Sequence, residues 1–302
     1  MKKEFLFPDE ELALDEMMTP QNIKIAYLIL VHRFPNQFKR MFTAIYDSAN
    51  YYLINIDKKS SNKIFNEIES FLSVYPNVSI IKSENITWGG YSMVQAELDG
   101  IKFLLDIEKD WDYFINLSGQ DYPLRSQKVI RKFLSNNYGN SYLKISEQKL
   151  FRPETMNRLE NYFVESEDKV SMVSKNRKYL EDVVPYIGGQ WMILTRNCCE
   201  FICNNSEVQK FEDYYINTLI PDESFFQTVL MNTSFTGILI NDDKRAIIWI
   251  PDGDIKLRPK TFTNDDYNFL KYGENLFARK FDDNIDPNII NKLKPQYNVD
   301  II

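Results

Sequence analysis

The sequence predicts an α/β fold in which a mostly parallel central sheet is covered by helices on both faces. In the first half of the chain, short apolar runs of strand length alternate with segments whose apolar residues recur at helical spacing. Such alternation is typical of parallel strands joined by crossover helices. The chain has 302 residues, of which 44% are hydrophobic, and so can bury a sizeable core. Its longest apolar stretch, "IAYLILV" (25–31), has the length of a strand and not of a membrane span.

The strands and helices of the first half can be placed in order. Apolar runs predict the strands, and apolar residues that repeat every three or four positions predict the helices. The predicted strands are "KIAYLILV" (24–31), "YYLINI" (51–56), "VSII" (78–81) and "YFINL" (113–117). The predicted helices are marked by Phe38, Phe42, Ile45 and Tyr46, by Ile64, Phe65, Ile68, Phe71 and Leu72, and by the run 91–108.

The second half is less regular. Residues 150–185 are polar, charged and weakly periodic, which predicts a long surface excursion or a loop that covers a site. The run "GGQWMILT" (188–195) then predicts a strand, followed by a helix rich in Phe and Tyr. Further on, "PDESFF" indicates a helix start, with Pro221 before it, Asp222 as N-cap and Glu223 in the first turn.

The residue content excludes several kinds of chemistry. The chain has one histidine, His32, which rules out most Ser-His-Asp, Cys-His and multi-histidine metal sites. Neither GxGxxG nor GxxxxGK[ST] occurs, so the sequence has neither the dinucleotide fingerprint nor the P-loop. Catalysis must therefore use carboxylates, hydroxyls or cations.

The charge, the N-terminal sequence and the cysteine content indicate which partners, cellular location and thiol state to expect. The formal net charge of −7 argues against a general nucleic-acid or anionic-membrane surface but allows small basic pockets. The first 18 residues are too acidic for a signal peptide, so we expect a cytoplasmic location, with peripheral contact at the inner face of the membrane left open. We expect the thiols of Cys198, Cys199 and Cys203 to be reduced and partly buried.

Ligands of such sheets bind beyond the carboxyl ends of the strands. Four polar segments follow apolar runs and are therefore candidates for binding. Each taken alone is also what an ordinary turn contains, but their recurrence after successive strands weakens that interpretation. The segments are "VHRFP" (31–35), "DKKS" (57–60), "SENITWGGYS" (83–92) and "SGQDYPLRS" (118–126).

Two literal DxD pairs occur, and we expect both to be structural. Asp110 and Asp112 precede the "YFINL" strand, which places them at the wrong end of the sheet for a metal site. Asp252 and Asp254 lie in a Pro/Gly turn. After "YFINL" comes "SGQD", whose single carboxylate, Asp121, favours a site without a metal.

A diphosphate that leaves without a metal needs side-chain cations to balance its charge. The segment "FARKF" places Arg279 and Lys280 between apolar residues, and Arg258 is a further candidate. The alternative interpretation of "FARKF" is a solvated charge pair on a strand edge.

Five segments in this order resemble the core-2/I-branching β-1,6-N-acetylglucosaminyltransferase and peptide O-xylosyltransferase family. The resemblance covers roughly residues 23–295. The middle and C-terminal segments are closer to the xylosyltransferase and plant-type branches than to the core-2 enzymes. The segments run from "AYLILV" to "DKKS" (26–60), then "TWGGYSMVQAEL" (87–98), "DWDYFINLSGQDYPLRS" (110–126), "PDESFFQTVL" (221–230) and "LFARKFDD" (276–283).

The resemblance implies a GT-A-like glycosyltransferase fold, a UDP-sugar donor, and inversion at the anomeric carbon with no obligatory metal and no other cofactor. The catalytic base of the family corresponds to Glu223 of "PDE". The lysine that contacts the donor diphosphate corresponds to Lys280, with Arg279 beside it. A further family arginine corresponds to Arg258, and we count Asp121 with the donor-binding residues.

The resemblance also implies which residues contact the uracil of the donor and which contact the acceptor. The contacts on the uracil side correspond to Val31, Asp57 and Trp88. On the acceptor side, Trp249 resembles a sugar-stacking tryptophan, with an ordinary core tryptophan at a strand end as the alternative. Arg158, in the irregular middle segment, corresponds to an acceptor-binding arginine.

We expect residues 1–22 to be an N-terminal extension and residues 23–302 to form a single domain. This domain would have a nucleotide-sugar-binding half (23–148) and an acceptor and catalytic half (149–302). The eukaryotic relatives carry a membrane anchor and disulfides that this sequence lacks. The resemblance therefore implies a bacterial-type enzyme that builds a surface polysaccharide or another glycan. Its expected partners are a UDP-sugar and a glycan or lipid-linked saccharide acceptor, and no nucleic acid.

In the predicted reaction, Glu223 removes the proton of an acceptor hydroxyl as that oxygen attacks the anomeric carbon opposite UDP. A helix start stabilises the ionised carboxylate and weakens it as a base, unless Phe225 and Phe226 desolvate it. The donor sugar is open between N-acetylglucosamine, xylose and glucuronic acid. The alternatives are a catalytically silent nucleotide-sugar or glycan-binding module, a phosphoryl-transfer enzyme, and a hydrolase that uses Glu223 with Asp222.

Overall fold

A central sheet with helices on its two faces forms most of the fold. The computed structural model describes residues 22–82, 85–107, 110–167, 169–252 and 256–293. The first elements in chain order are β1 (Ile25–Val31), α1 (Pro35–Ile45), β2 (Tyr51–Ile56), α2 (Asn62–Leu72), β3 (Val78–Lys82), α3 (Ser92–Ile107), β4 (Tyr113–Ser118), β5 (Asp121–Pro123), α4 (Gln127–Asn136), β6 (Asn140–Leu143) and β7 (Ser146–Glu147).

The second half of the chain contains shorter elements. They are α5 (Gln148–Phe151), α6 (Asn157–Glu160), β8 (Tyr162–Glu165), β9 (Val170–Ser174), β10 (Tyr186–Ile187), β11 (Met192–Thr195), α7 (Arg196–Asn204), α8 (Gln209–Tyr215), α9 (Phe225–Asn232), β12 (Ile238–Asn241), β13 (Arg245–Ile247), β14 (Trp249–Asp252), β15 (Lys256–Pro259), α10 (Tyr267–Tyr272), β16 (Phe277–Arg279) and α11 (Asn288–Leu293). Short 3-10 turns lie at Pro153–Met156, Ser206–Val208, Pro221–Glu223 and Asn264–Asp266.

The central sheet has seven strands in the order β12-β6-β11-β4-β1-β2-β3. The neighbours β1 and β2, β1 and β4, β2 and β3, and β6 and β12 are parallel. Only β11 is reversed within this sheet, because it pairs antiparallel with both β4 and β6. The predicted mostly parallel sheet is therefore confirmed.

The four strands predicted in the first half are confirmed to within one residue at either end. The predicted helix over 91–108 is confirmed as α3. The strand predicted over 188–195 is shorter than expected, because only β11 joins the sheet. The four residues before it, 188–191, leave the sheet, and their contacts lie at the site described below. Residues 150–185 are not one loop, since they contain α6 and the β8–β9 hairpin.

Helices cover both faces of the sheet, as predicted. Tyr27 and Ile29 of β1 pack against one core with Phe42 of α1. Leu28, which points the other way, packs against a second core with Val94 of α3. This layered arrangement is the GT-A-like, Rossmann-type fold that the resemblance implied. Within the described ranges, no helix has both the length and the apolar surface that crossing a lipid bilayer requires.

A small sheet connects the C-terminal segment to the central sheet. It has the order β13-β16-β5, and β5 directly follows the end of β4. In this sheet β16 pairs antiparallel with β5, with Arg279 opposite Asp121. The pairing brings "FARKF" to the carboxyl end of β4, although the two segments are far apart in sequence.

The three cysteines lie on α7 and carry free thiols. Cys198 and Cys199 are buried and Cys203 is half-buried. Burial raises the pKa of the Cys198 thiol to about 12, so the thiol is protonated at neutral pH.

Candidate active site

The carboxyl ends of β1 and β4 hold two arginines in fixed positions. Arg33, two residues beyond β1, donates a 3.1 Å hydrogen bond from Nη2 to Gln120 Oε1. Arg279 of β16 donates from Nη1 to Ser118 Oγ at 2.5 Å and to Asp121 Oδ1 at 2.8 Å. Both guanidinium groups are therefore anchored on the "SGQD" turn that follows β4.

Lys280 lies beside these arginines. Desolvation lowers the pKa of Lys280, and the charges of Arg279 and Arg33 lower it further. The negative charge of Asp282 raises the pKa of Lys280. The positive charge of Arg258 lowers it, but by less than Arg279 and Arg33 do. Like charges placed this close repel one another unless an anion binds among them. We call Arg33, Arg279 and Lys280 the cationic cluster.

His32 adds no full charge to the cationic cluster at neutral pH. Desolvation and the neighbouring charge of Arg33 lower the pKa of the imidazole below its usual range, against the opposite effect of Asp57. The lowered pKa keeps His32 neutral at pH 7. The positive charge at this edge therefore comes from the arginine and lysine side chains.

Asp121 lies beneath Arg279 and is fully buried. Its Oδ2 accepts a 2.8 Å hydrogen bond from the backbone N–H of Ser118, and its Oδ1 accepts from Arg279. Because both oxygens are occupied by protein donors, Asp121 orients Arg279 instead of facing a ligand itself. Within the described ranges, no three His, Cys, Asp or Glu side chains are grouped in a way that could hold a metal ion.

The residues predicted for the uracil side lie at the end of β1 and on two adjacent loops. The backbone N–H of Asp57 donates to the Val31 carbonyl at 2.9 Å. Lys59 Nζ donates to the Ile86 carbonyl at 3.3 Å, which joins this loop to the one that carries Trp88. The Trp88 side chain is 66% exposed, whereas Val31 is buried, so Val31 can offer a ligand only its backbone.

Glu223 ends the 3-10 turn that precedes α9. Its carbonyl accepts a 2.7 Å hydrogen bond from the Gly188 N–H, and its Oε2 accepts from Arg158 Nη1 at 2.7 Å. Only glycine fits at position 188, because a Cβ atom there would lie 1.9 Å from the Lys144 carbonyl oxygen. The Arg158 and Glu223 side chains are 18% and 23% exposed, so the pair is shielded but still reachable from outside.

Asp222 is not the N-cap that the sequence predicts. Pro221 begins a 3-10 turn after Ile220, whose φ of 52° is in the left-handed region, and Ser224 occupies the position before α9. Asp222 therefore lies within the turn, with its side chain buried. Burial, and then the charge of Glu223, raise the pKa of Asp222 to about 7.

A second buried carboxyl, Glu97 of α3, lies close enough to Asp222 to be affected by its charge. Glu97 Oε1 accepts hydrogen bonds from Asn116 Nδ2 at 2.8 Å and from Gln190 Nε2 at 3.0 Å. Glu97 Oε2 is buried and has no hydrogen-bond partner among the described residues. Burial raises the pKa of Glu97 well above its ordinary value, and the charge of Asp222 raises it further.

Trp249 and Arg258 lie on the β14–β15 hairpin. Trp249 pairs with Pro259 and is 46% exposed, which excludes the alternative of an ordinary core tryptophan. Arg258 Nε lies 3.6 Å from Asp252 Oδ1. The hairpin leads back to the cationic cluster through Lys260, whose carbonyl accepts a 3.4 Å hydrogen bond from the Lys280 N–H.

The first DxD pair lies away from this site, as predicted. Asp110 forms an ion pair with the side chain of Lys24, and Asp112 accepts a 2.8 Å hydrogen bond from the Lys24 N–H. These contacts are at the amino ends of β1 and β4, the opposite edge of the sheet. Of the second pair, Asp252 binds the hairpin arginine, and Asp254 lies outside the described residues.

Contacts connect the cationic cluster with the turn that carries Glu223. The Arg279 guanidinium lies over the Trp191 ring, 4.6 Å from its centroid. The preceding residue, Gln190, donates to Glu97, which lies behind that turn. The turn also meets the Trp88 loop, because the Ile220 N–H donates to the Gly89 carbonyl at 2.8 Å. A chain of contacts therefore links Arg279 to the turn that carries Glu223, and that turn to the loop that carries Trp88.

Some residues of this site were not predicted individually. Arg33 lies in "VHRFP", a segment that was predicted to bind ligands, so its position beyond β1 was an available signal. Glu97 is a carboxylate on the buried face of α3, between Val94 and Leu98, which is also visible as a break in the apolar pattern. Trp191 gave no such signal, because it looks like part of a strand.

The chain is similar to proteins of a known family. The family model described as Core-2/I-Branching enzyme matches residues 25–278. A xylosyltransferase from Ciona intestinalis is 29% identical over 290 residues, covering 90% of this chain and 34% of that protein. Xylosyltransferase 1 from Rattus norvegicus is 30% identical over 299 residues, covering 92% of this chain and 36% of that protein. The chain thus spans about a third of the length of the curated relatives it matches.

Similarity to solved structures is more remote. A 4-diphosphocytidyl-2C-methyl-D-erythritol synthase from Anaerococcus prevotii aligns with a TM-score of 0.38 and 10% identity, over 73% of this chain and 88% of that one. The family match extends over most of the chain, from β1 into β16, and includes the central sheet and Glu223, whereas Arg279 and Lys280 follow its last residue. The chain belongs to the Core-2/I-Branching enzyme family.

Proposed function

We propose that this chain is an inverting glycosyltransferase that moves a sugar from a UDP-sugar to a hydroxyl of a glycan acceptor, with Glu223 as general base. The observation that carries the proposal is that the Glu223 carboxylate, held by Arg158, and the cationic cluster, anchored on the turn after β4, are linked by contacts at the carboxyl edge of the sheet. Open α/β sheets bind ligands at this edge. A cationic cluster suits a diphosphate, and a carboxylate suits an acceptor hydroxyl.

The proposed base is Glu223, which removes the proton of the acceptor hydroxyl as the oxygen attacks the anomeric carbon. The bond from that carbon to the UDP oxygen breaks on the opposite side, so the configuration inverts. The Gly188 N–H and Arg158 hold the base at both its backbone and its carboxylate. Correct placement of such a base contributes roughly 10² to 10⁴ in rate.

The cationic cluster is proposed to stabilise the departing UDP without an obligatory metal. Arg279 is held rigidly by Asp121 and Ser118, and charge-assisted hydrogen bonds from a fixed donor are strong. Arg33 is held by its hydrogen bond to Gln120, which fixes a second guanidinium group close to Lys280. Lys280 supplies a further charge, and desolvation of the site strengthens each of these interactions.

The remaining contacts are proposed from position and from the relatives. Val31 at the end of β1, and Asp57 and Trp88 on neighbouring loops, are proposed to contact the uridine. Trp249, on the exposed hairpin, would stack on the acceptor sugar. The relatives named xylosyltransferases favour xylose as the donor sugar, with N-acetylglucosamine as the alternative. The acceptor is proposed to be a glycan or a lipid-linked saccharide.

The proposal is tested with a panel of UDP-xylose, UDP-N-acetylglucosamine and UDP-glucuronic acid. We expect one donor to raise the melting temperature, since a ligand that binds the native state stabilises it. The same donor is expected to release UDP when a glycan acceptor is present. Glu223→Gln should keep the thermal shift and lose transfer by roughly 10² to 10⁴. Glu69→Gln, which changes an exposed carboxyl on α2, is the matched control and should keep both.

Two outcomes would contradict the proposal. Full turnover by Glu223→Gln would exclude this residue as the base. Binding of a UDP-sugar by the unaltered protein with no transfer to any acceptor would indicate a silent nucleotide-sugar-binding module instead.

A further inference from the structure

Two buried carboxyl groups behind Glu223 each have an oxygen without a partner. Glu97 is fully buried and Asp222 is 5% exposed. Glu97 Oε2 and Asp222 Oδ1 have no hydrogen-bond partner among the described residues. A buried ionised carboxylate needs a cation or several hydrogen-bond donors, because its loss of hydration is otherwise uncompensated. Among the residues that the structure describes, neither oxygen has such a partner.

The charged groups around these carboxyls cannot neutralise both. The Glu97 side chain is approached by the amides of Asn116 and Gln190 and by the charge of Asp222. The negative charge of Glu223 raises the pKa of Asp222, and the positive charge of Arg158 lowers it. Arg158 is already bound to Glu223. Three ionised carboxylates here would share one cation.

We propose that Glu97 and Asp222 form a buried acid pair that retains a proton at neutral pH behind the Arg158–Glu223 ion pair. This inference rests on the proposed role of Glu223 as the base. Because the proton is retained, Glu223 does not compete with a second ionised carboxylate for Arg158. The turn Pro221–Glu223 is also spared a further negative charge. Glu97 and Asp222 are positioning residues in this scheme, since neither touches the acceptor hydroxyl.

The proton is held mainly on Glu97. Its Oε1 accepts two amide hydrogen bonds, which leaves the unpartnered Oε2 as the protonated atom. Burial and the charge of Asp222 raise the pKa of Glu97 well above its ordinary value. The pKa of Asp222 is raised from 3.8 to about 7, so Asp222 changes charge near neutral pH. Paired buried carboxyls behave in this way because like charges resist a second ionisation.

The direction of the pH effect follows from linkage. Between the ordinary and the raised pKa values, the folded protein holds more protons than the unfolded chain. The free energy of unfolding therefore falls as the pH rises through this window, and the contribution of Asp222 is lost once Asp222 has ionised. Glu97→Gln has the shape of the neutral acid and cannot ionise. Its stability relative to wild type should therefore increase from pH 5 to pH 8.

The experiment compares the full chain with Glu97→Gln, Asp222→Asn and the exposed control Glu69→Gln. Infrared difference spectra between wild type and Glu97→Gln at pH 7 detect a protonated carboxyl C=O band without any need for turnover. Urea unfolding from pH 5 to pH 8 measures the linkage. The pH profile of kcat/KM then tests positioning, because we expect the wild-type rate to fall as Asp222 ionises and the Asp222→Asn rate not to fall there.

The expected result is a protonated carboxyl band that Glu97→Gln removes and Glu69→Gln keeps. Unfolding free energies of Glu97→Gln and wild type should diverge as the pH rises, whereas those of Glu69→Gln and wild type should stay parallel. The proposal is overturned if the band is absent at pH 7, or if all the unfolding curves are parallel. The infrared band and the unfolding curves test the acid pair even if no glycosyl transfer is found. Failure of the proposed function can therefore be told apart from failure of this inference. Identical pH profiles for wild type and Asp222→Asn would reject the positioning role.

Discussion

Arg158 and Glu223 form a hydrogen-bonded ion pair, with 2.7 Å between Arg158 Nη1 and Glu223 Oε2, although they are 65 residues apart in sequence. Their side chains are 18% and 23% exposed. The pair places a cation on the proposed base before any substrate is bound. Arg158, expected from the resemblance to bind the acceptor, therefore also fixes the direction of the carboxylate.

We predict that Arg158→Ala lowers kcat/KM for transfer by about 100-fold, because a base that is no longer oriented loses its near-attack geometry. Donor affinity, measured by calorimetry with UDP, should be unchanged. Arg158→Lys keeps the charge but not the planar fork, and it should recover only part of the rate. A wild-type rate in Arg158→Ala would show that the pair does not orient the base.

Lys280→Ala should weaken binding of UDP by about 10- to 100-fold, the effect of losing a hydrogen bond to a charged group worth about 1.5–3 kcal/mol. Transfer by the unaltered chain should proceed at full rate in excess chelator. Lys128→Ala, which removes an exposed lysine on α4, is the control and should bind UDP normally. Strict dependence on manganese would contradict the cationic scheme and would point back to Asp121 as a metal ligand.

Asp121→Asn should destabilise the fold by about 3–5 kcal/mol, because it removes one partner of a shielded ion pair. Arg279 loses its anchor, so affinity for UDP should fall as well. Chemical unfolding and calorimetry measure the two effects. Added manganese should not restore binding, since both Asp121 oxygens bind protein donors. Restoration by the metal would argue against this orienting role.

Trp249→Ala should raise KM for the acceptor by a few-fold to about tenfold, the effect expected when an aromatic contact of about 0.5–1.5 kcal/mol is lost. Affinity for UDP should not change. Trp249→Phe keeps a stacking face and should retain most of the activity. Tyr272→Ala, another exposed aromatic residue, is the control. Equal loss of donor and acceptor binding in Trp249→Ala would reject the stacking role.

Gly188→Ala should destabilise the protein by about 1–3 kcal/mol or more, because the new methyl group collides with a backbone carbonyl and forces it to move. Transfer should fall too, since the Gly188 N–H binds the Glu223 carbonyl. Gly189→Ala is the matched control, because a Cβ atom there has ordinary contacts at 3.8 Å or more. Equal stability of the two variants, measured by thermal unfolding, would contradict this account.

The sequence by itself determined the strands β1 to β4, the helix α3, the layered α/β class and the family. These features depend on local periodicity and on short segments in a fixed order, and both can be read along the chain. It also singled out Glu223, because the resemblance places the base within "PDE". The local sequence pattern wrongly predicted Asp222 as a helix N-cap, because Asp222 is buried within a 3-10 turn.

Only the tertiary structure decided which distant residues meet. The pairing of β16 with β5 places Arg279 on Asp121, and the packing of residues 150–185 brings Arg158 to Glu223. The approach of Glu97 to Asp222 likewise depends on how α3 packs behind the turn Pro221–Glu223. Such contacts follow from strand register and from the packing of complementary surfaces, and neither is set by nearest neighbours in the sequence.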